Sequence, residues 1–61
     1  MKYRINVHSA GHEDTSLLVE ASSLRIAKRE ERTAKLQWCV HNDLDLDDDF
    51  EMPFTRTVKV S

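Results

Sequence analysis

Hydrophobic and polar residues alternate at the start of the chain, where Tyr3, Ile5 and Val7 are separated by Arg4, Asn6 and His8. A period of two belongs to a strand with one buried face, and it predicts a strand over residues 2–9. Ser9-Ala10-Gly11-His12-Glu13-Asp14 then gathers turn formers around the only glycine, whose freedom at positive φ suits a hairpin loop. Thr15 to Glu20 reads as the returning strand. Its Leu17-Leu18-Val19 run leaves open which side faces inwards.

The period then changes. Ser22 or Ser23 is placed to cap a helix, with a hydroxyl accepting from a free N–H of the first turn and Val19 or Ala21 packing one turn in. Arg25 to Lys35 contains no Gly or Pro, and Glu31 and Lys35 make a favourable i,i+4 pair. Leu24, Ala27, Ala34 and Trp38 share one stripe, which Glu31 interrupts. Two readings follow. Leu36, Trp38 and Val40 alternate with Gln37, Cys39 and His41, so the helix ends near Lys35 and a third strand begins; otherwise a single helix runs from Ser23 to His41. The first is preferred, because it gives β-prone Trp-Cys-Val a strand and leaves a helix of about thirteen residues, close to the globular mean of roughly 11 to 12.

Pro53 lacks an N–H, pushes Met52 towards extended geometry and so introduces a last strand, Phe54 to Val60. Alternation puts Phe54, Arg56, Val58 and Val60 on one face and Thr55, Thr57 and Lys59 on the other. The expectation is an α+β domain over residues 1–61, in the order ββαββ, with a small antiparallel sheet of three to four strands and one α-helix packed on it.

Composition narrows the class. A chain of 61 residues buries only about 60% of its unfolded surface, so stability will be modest. Hydrophobic content of 39% beside 33% charged residues is that of a globular chain, with four aromatics for its core. Cys39 is the only cysteine, so no intrachain disulfide is available, which fits a reducing cytoplasm. The fold then rests on packing, either as a monomer or helped by a homodimer interface. The longest apolar runs, Leu17 to Val19 and Trp38 to Val40, are far too short to span a membrane, and Met1-Lys2-Tyr3-Arg4 is not followed by the apolar core of a signal peptide.

Charge changes the picture most. The segment from Asn42 to Glu51 holds Asp43, Asp45, Asp47, Asp48, Asp49 and Glu51, six of the chain's eleven acidic residues, and no Lys or Arg. Nine basic and five acidic residues lie outside it, so a net charge of −2 conceals a segment of −6 on a body of +4. In an extended chain Asp43, Asp45 and Asp47 would point one way at a spacing of about 6.6 Å, a row resembling phosphates, while Leu44, Leu46 and Phe50 anchor it. Such a row suits a basic surface built for nucleic acid. Aspartates alternating along an edge strand also guard against aggregation, which needs no partner.

Other chemistries find less. Asp43, Asp45 and Asp47 match positions 1, 3 and 5 of a calcium-binding EF-hand loop, but position 6 is Asp48 instead of Gly and position 12 is Phe54 instead of Glu. His8, His12, Cys39 and His41 have metal-ligand chemistry without zinc spacing. No metal or cofactor is expected. Cys39 with His41 as base lacks a third orienting group and a pocket, so no catalytic residue and no enzyme is expected. Arg25, Lys28, Arg29, Arg32 and Lys35 outnumber Glu30 and Glu31 on the helix, a candidate for nucleic acid that the acidic segment would oppose, and a solvated face pairing with that segment is the preferred reading.

Leu18-Val19-Glu20-Ala21-Ser22-Ser23-Leu24-Arg25-Ile26-Ala27-Lys28-Arg29 resembles a junction in small phage-encoded proteins, where a strand passes through an acidic-small-Ser/Leu turn into a helix with Ala-Lys in its second turn. Anti-CRISPR proteins of type I systems look like this, and more loosely so do phage inhibitors of bacterial RNA polymerase. The resemblance implies a class, a tiny stand-alone protein that blocks host machinery, and it carries no site residue with it. With the charge pattern it leads to a phage-type inhibitor in the bacterial cytoplasm. Its six acidic residues would occupy a basic DNA-binding surface of a type I CRISPR effector, without binding nucleic acid directly. An RNA-polymerase inhibitor and a nucleic-acid-binding regulator using the basic helix are the alternatives.

Overall fold

The computed structural model describes residues 1–45, 47 and 50–61. Its elements run β1 (Lys2–His8), β2 (Thr15–Glu20), α1 (Leu24–Lys28), α2 (Glu31–His41) and β3 (Phe54–Lys59). The sheet order is β2-β1-β3, with β1 antiparallel to both neighbours. β2 and β3 are therefore parallel to each other, and parallel strands need a long connection across one face, which the helices supply.

β1 sits at the centre because its alternation is the cleanest. Tyr3, Ile5 and Val7 are buried while Lys2, Arg4, Asn6 and His8 are exposed. Register then settles the inner face of both neighbours, since residues directly opposite in an antiparallel pair point the same way. Leu17 lies opposite Ile5 and Val19 opposite Tyr3, so these two turn towards the helices and Leu18 turns out, 62% exposed. Gly11, at φ +83, provides the loop conformation between the two strands.

Ser23 is the cap: its backbone is extended and its Oγ accepts from the Ile26 N–H at 3.4 Å. The expected strand over residues 36–40 is absent, and those residues belong to α2. The strand would have buried Leu36, Trp38 and Val40 together. Instead Trp38 and Cys39 are buried with Ala34, one α-helical stripe facing the sheet, whereas Val40 is 79% exposed. The chain thus has three strands among the described residues, and the single-helix alternative lies nearer to what forms.

That helix is broken once, at Arg29 and Glu30, where N–H groups reach back three residues to Ile26 and Ala27. The break explains the charge in the stripe. Glu31 opens α2, where the helix dipole favours an anion, and its carboxylate accepts from the Thr57 hydroxyl at 3.0 Å.

Register also decides which face of β3 points inward. Thr55 and Thr57, opposite Val7 and Ile5, face the helices, while Phe54 is 81% exposed on the other side with Arg56. Phe54 belongs to the more apolar of the two faces, but pairing to β1 determines which parity is inward, and a one-residue shift would reverse the whole strand.

Candidate acidic interface

The acidic segment begins where α2 stops, and the stop is a hydrogen-bonded motif. Asp43 takes φ 57, its N–H donates to the Val40 carbonyl at 3.1 Å, and the Leu44 N–H donates to the Cys39 carbonyl at 2.8 Å. This is the Schellman pattern, with aspartate where glycine is usual. Leu44 then folds back onto the cluster of Ile5, Val7, Ala34, Trp38 and Cys39, the apolar contact that accompanies the motif.

Asp43→Gly is expected to stabilise the protein by about 1 kcal/mol, because glycine adopts this backbone without steric cost. The melting temperature should rise by about 5 °C. Asp43→Asn removes the same charge but keeps a side chain, so a thermal melt of all three forms separates charge from backbone. No rise with glycine beyond that with asparagine would refute the backbone argument.

Past Leu44 the chain turns rather than runs extended. The Asp45 carboxylate accepts from the Asp47 N–H at 3.2 Å, a side-chain-closed turn typical of aspartate. Together with the left-handed Asp43, it replaces the strand-like row of carboxylates. Asp43, Asp45, Asp47 and Glu51 are exposed; Asp48, Asp49 and Leu46 lie outside the described residues. The segment is held again at its far end by Phe50, whose ring is 5.9 Å from that of Trp38, before the buried Pro53 leads into β3. Two of the three expected anchors, Leu44 and Phe50, therefore pack on the core.

The fold adds a carboxylate that the sequence does not place here. Asn42, the C-cap of α2, accepts from the Glu13 N–H at 2.8 Å and donates to the Glu13 and Trp38 carbonyls at 3.1 and 3.0 Å. The loop between β1 and β2 is thereby fastened to the end of α2, and Glu13 pairs with His41 at 2.6 Å. Asp14, next in the loop, pairs with His8. A Glu-Asp dipeptide in a loop gives no sign of its distant neighbour; only an Asn after the helix hints at a cap.

The other candidate residues are used separately. His12 sets its ring edge-on to Trp38 at 5.1 Å, His8 and His41 take the carboxylates of Asp14 and Glu13, and the Cys39 thiol is in the core. Among the described residues no three His, Cys, Asp or Glu side chains come together as a metal site. Cys39 and His41 share a helix instead of a strand, with the thiol buried and the imidazole at Glu13. Arg25, Lys28, Arg29, Arg32 and Lys35 form no ion pair with a described carboxylate.

The arrangement runs against local electrostatics. The last turn of a helix carries partial negative charge and favours cations, yet six acidic residues follow α2 directly, with His41 the basic residue of that turn. Asp43 stands one residue past the C-cap, where a carboxylate is disfavoured by the helix end. No helix among the described residues is long and apolar enough to cross a membrane. Comparison with known proteins finds no matching family model, no matching curated protein and no matching solved structure.

Proposed function

We propose that the protein is a small non-catalytic inhibitor that sets its acidic segment, Asp43, Asp45, Asp47, Asp48, Asp49 and Glu51, on the basic nucleic-acid-binding surface of a partner and displaces phosphate there. The observation that carries this reading is that the acidic segment leaves the negative end of α2 at Asp43, on a loop fastened by Leu44, Phe50 and the Asn42 clamp that also brings in Glu13. A sequence selected for stability alone would place cations at that end. Glu13 extends the acidic surface across the hairpin loop. The resemblance of residues 18–29 to type I anti-CRISPR proteins makes a type I CRISPR effector the first target to try, and bacterial RNA polymerase the second. Both reside in the bacterial cytoplasm.

The test uses purified effector, labelled target duplex and two forms of the protein. Asp47→Lys with Glu51→Lys reverses two exposed side chains that make no hydrogen bond or ion pair with described residues. Wild type should block DNA binding, less well as salt rises, and the double variant should be weaker by about tenfold or more. Equal inhibition by both forms would remove the acidic segment from the mechanism; no inhibition by either would remove this target. The cations of the helices, which pair with no described carboxylate, favour direct nucleic-acid binding as a second reading. A shift of duplex or single-stranded DNA by the protein alone would select it.

A further inference from the structure

The two edges of the sheet are unequal. On β3 the edge is approached through Pro53 and carries Arg56 and Lys59, features that discourage another strand from pairing. β2, Thr-Ser-Leu-Leu-Val-Glu, has no proline or basic residue and a single charge at its end.

Hydrogen-bond parity identifies what this edge presents. The Ala21 N–H donates to the Met1 carbonyl at 3.0 Å, and bonded pairs in an antiparallel ladder recur every second residue. Val19 and Leu17 therefore face Tyr3 and Ile5 through their backbone groups, while the N–H and C=O groups of Ser16, Leu18 and Glu20 point away from β1. These outward groups make no backbone hydrogen bond to another described segment.

We infer that β2 is a self-association edge, pairing antiparallel with β2 of a second copy about a twofold axis at Leu18. Only even-numbered residues have free backbone groups, so hydrogen-bonded pairs join even to even, and the twofold can centre on any residue from 16 to 20. Centring on Glu20 sets like charges face to face, centring on Val19 puts Leu18 against Glu20, centring on Leu17 puts Asp14 against Glu20, and centring on Ser16 puts Leu18 against Asp14. Centring on Leu18 pairs it with its own copy, Ser16 with Glu20, and Leu17 with Val19. Each pairing suits its chemistry: a hydroxyl donates to a carboxylate, and apolar side chains meet apolar ones. Leu17 and Val19, half-buried on the helix side, extend the core across the axis, and the 62% exposed Leu18 is covered on the other. An isologous contact requires this kind of self-complementarity, which a strand from another protein would have no reason to share. The product is a six-stranded sheet with all helices on one side. Its two hairpin loops, and the acidic segments fastened to them, lie at opposite ends. This inference stands independently of the proposed target.

The test is light-scattering mass across a concentration series, for wild type and two variants. Leu18→Pro removes an N–H that β1 does not use, and Leu18→Lys puts cations opposite each other at the axis. Wild type should reach twice the 7.1 kDa of one chain and return to one chain on dilution, while both variants remain single at every concentration with unchanged circular dichroism. If the proline variant fails to fold, the lysine variant still decides. Amide exchange at Ser16, Leu18 and Glu20 should slow only in the dimer, whereas Leu17 and Val19 are protected throughout. A wild type that stays single at its solubility limit, a dimer that survives Leu18→Lys, or a dimer whose Ser16, Leu18 and Glu20 amides exchange freely would each overturn the inference.

Discussion

Trp38→Ala should remove most of the protein's stability at room temperature. Trp38 is fully buried, the largest side chain at the centre of the cluster with Ile5, Val7, Ala34 and Cys39, and it is the surface on which His12 and Phe50 rest. Truncating a buried aromatic to alanine costs about 3–5 kcal/mol. A chain of this length has a total stability of roughly 3–9 kcal/mol at the usual 0.05–0.15 per residue, so the loss takes most of it. Trp38→Phe is a milder change, because a ring remains against His12 and Phe50 and because the indole Nε1, buried without a hydrogen-bond partner among the described residues, is removed. Urea titrations followed by far-ultraviolet circular dichroism should show a shortened folded baseline and a much lower midpoint for alanine, and a transition nearer the wild-type midpoint for phenylalanine. A full cooperative transition for Trp38→Ala near the wild-type midpoint would contradict the placement of this side chain.

Asn42→Ala is expected to cost about 2–3 kcal/mol, a large effect for a residue outside the apolar core. One amide group makes three hydrogen bonds, two to the Glu13 backbone and one to the Trp38 carbonyl. Each contributes roughly 0.5–1.5 kcal/mol net, and alanine forfeits all three. The melting temperature should fall by about 10 °C or more, and the Glu13 amide should exchange faster than its neighbours in β1. Asn42→Asp keeps the acceptor for the Glu13 N–H but sets a carboxylate against two carbonyl oxygens, so it should be no better than alanine. If Asn42→Ala instead melts with wild type, the loop is held by the His41–Glu13 pair and not by the amide. Under the proposed function the same variant should weaken inhibition before the fold is lost, because it releases Glu13 and the base of the acidic segment together.

These two residues also mark how much was legible in the linear chain. Trp38 is recognisable as core, yet its neighbourhood fits two secondary structures, because Leu36, Trp38 and Val40 satisfy a period of two while Ala27, Ala34 and Trp38 satisfy the helical one. Short apolar stretches support both, and β-propensity is weak where packing against a neighbour sets the outcome. Burial of Ala34, Trp38 and Cys39 against β1 and β2 selects the helix. In the acidic segment the charge and two of its anchors were readable, while the left-handed Asp43 and the turn at Asp45 were not, since both depend on how a helix ends.

Local chemistry alone is enough for β1, β2, the position of the last strand, the Ser23 cap and the concentration of negative charge after residue 42. Alternation, hydroxyl capping and proline act within a few residues, so neighbours in sequence contain the information. The inward face of β3, the helical state of residues 36–41 and the union of Glu13 with Asn42 each depend on a partner far along the chain. Thr57 faces Glu31 because β3 pairs with Ile5, and Glu13 joins the acidic end because its loop crosses the terminus of α2. Those contacts arise from register and packing, where one residue of shift reverses a face, and no local pattern encodes which register the assembled core will select.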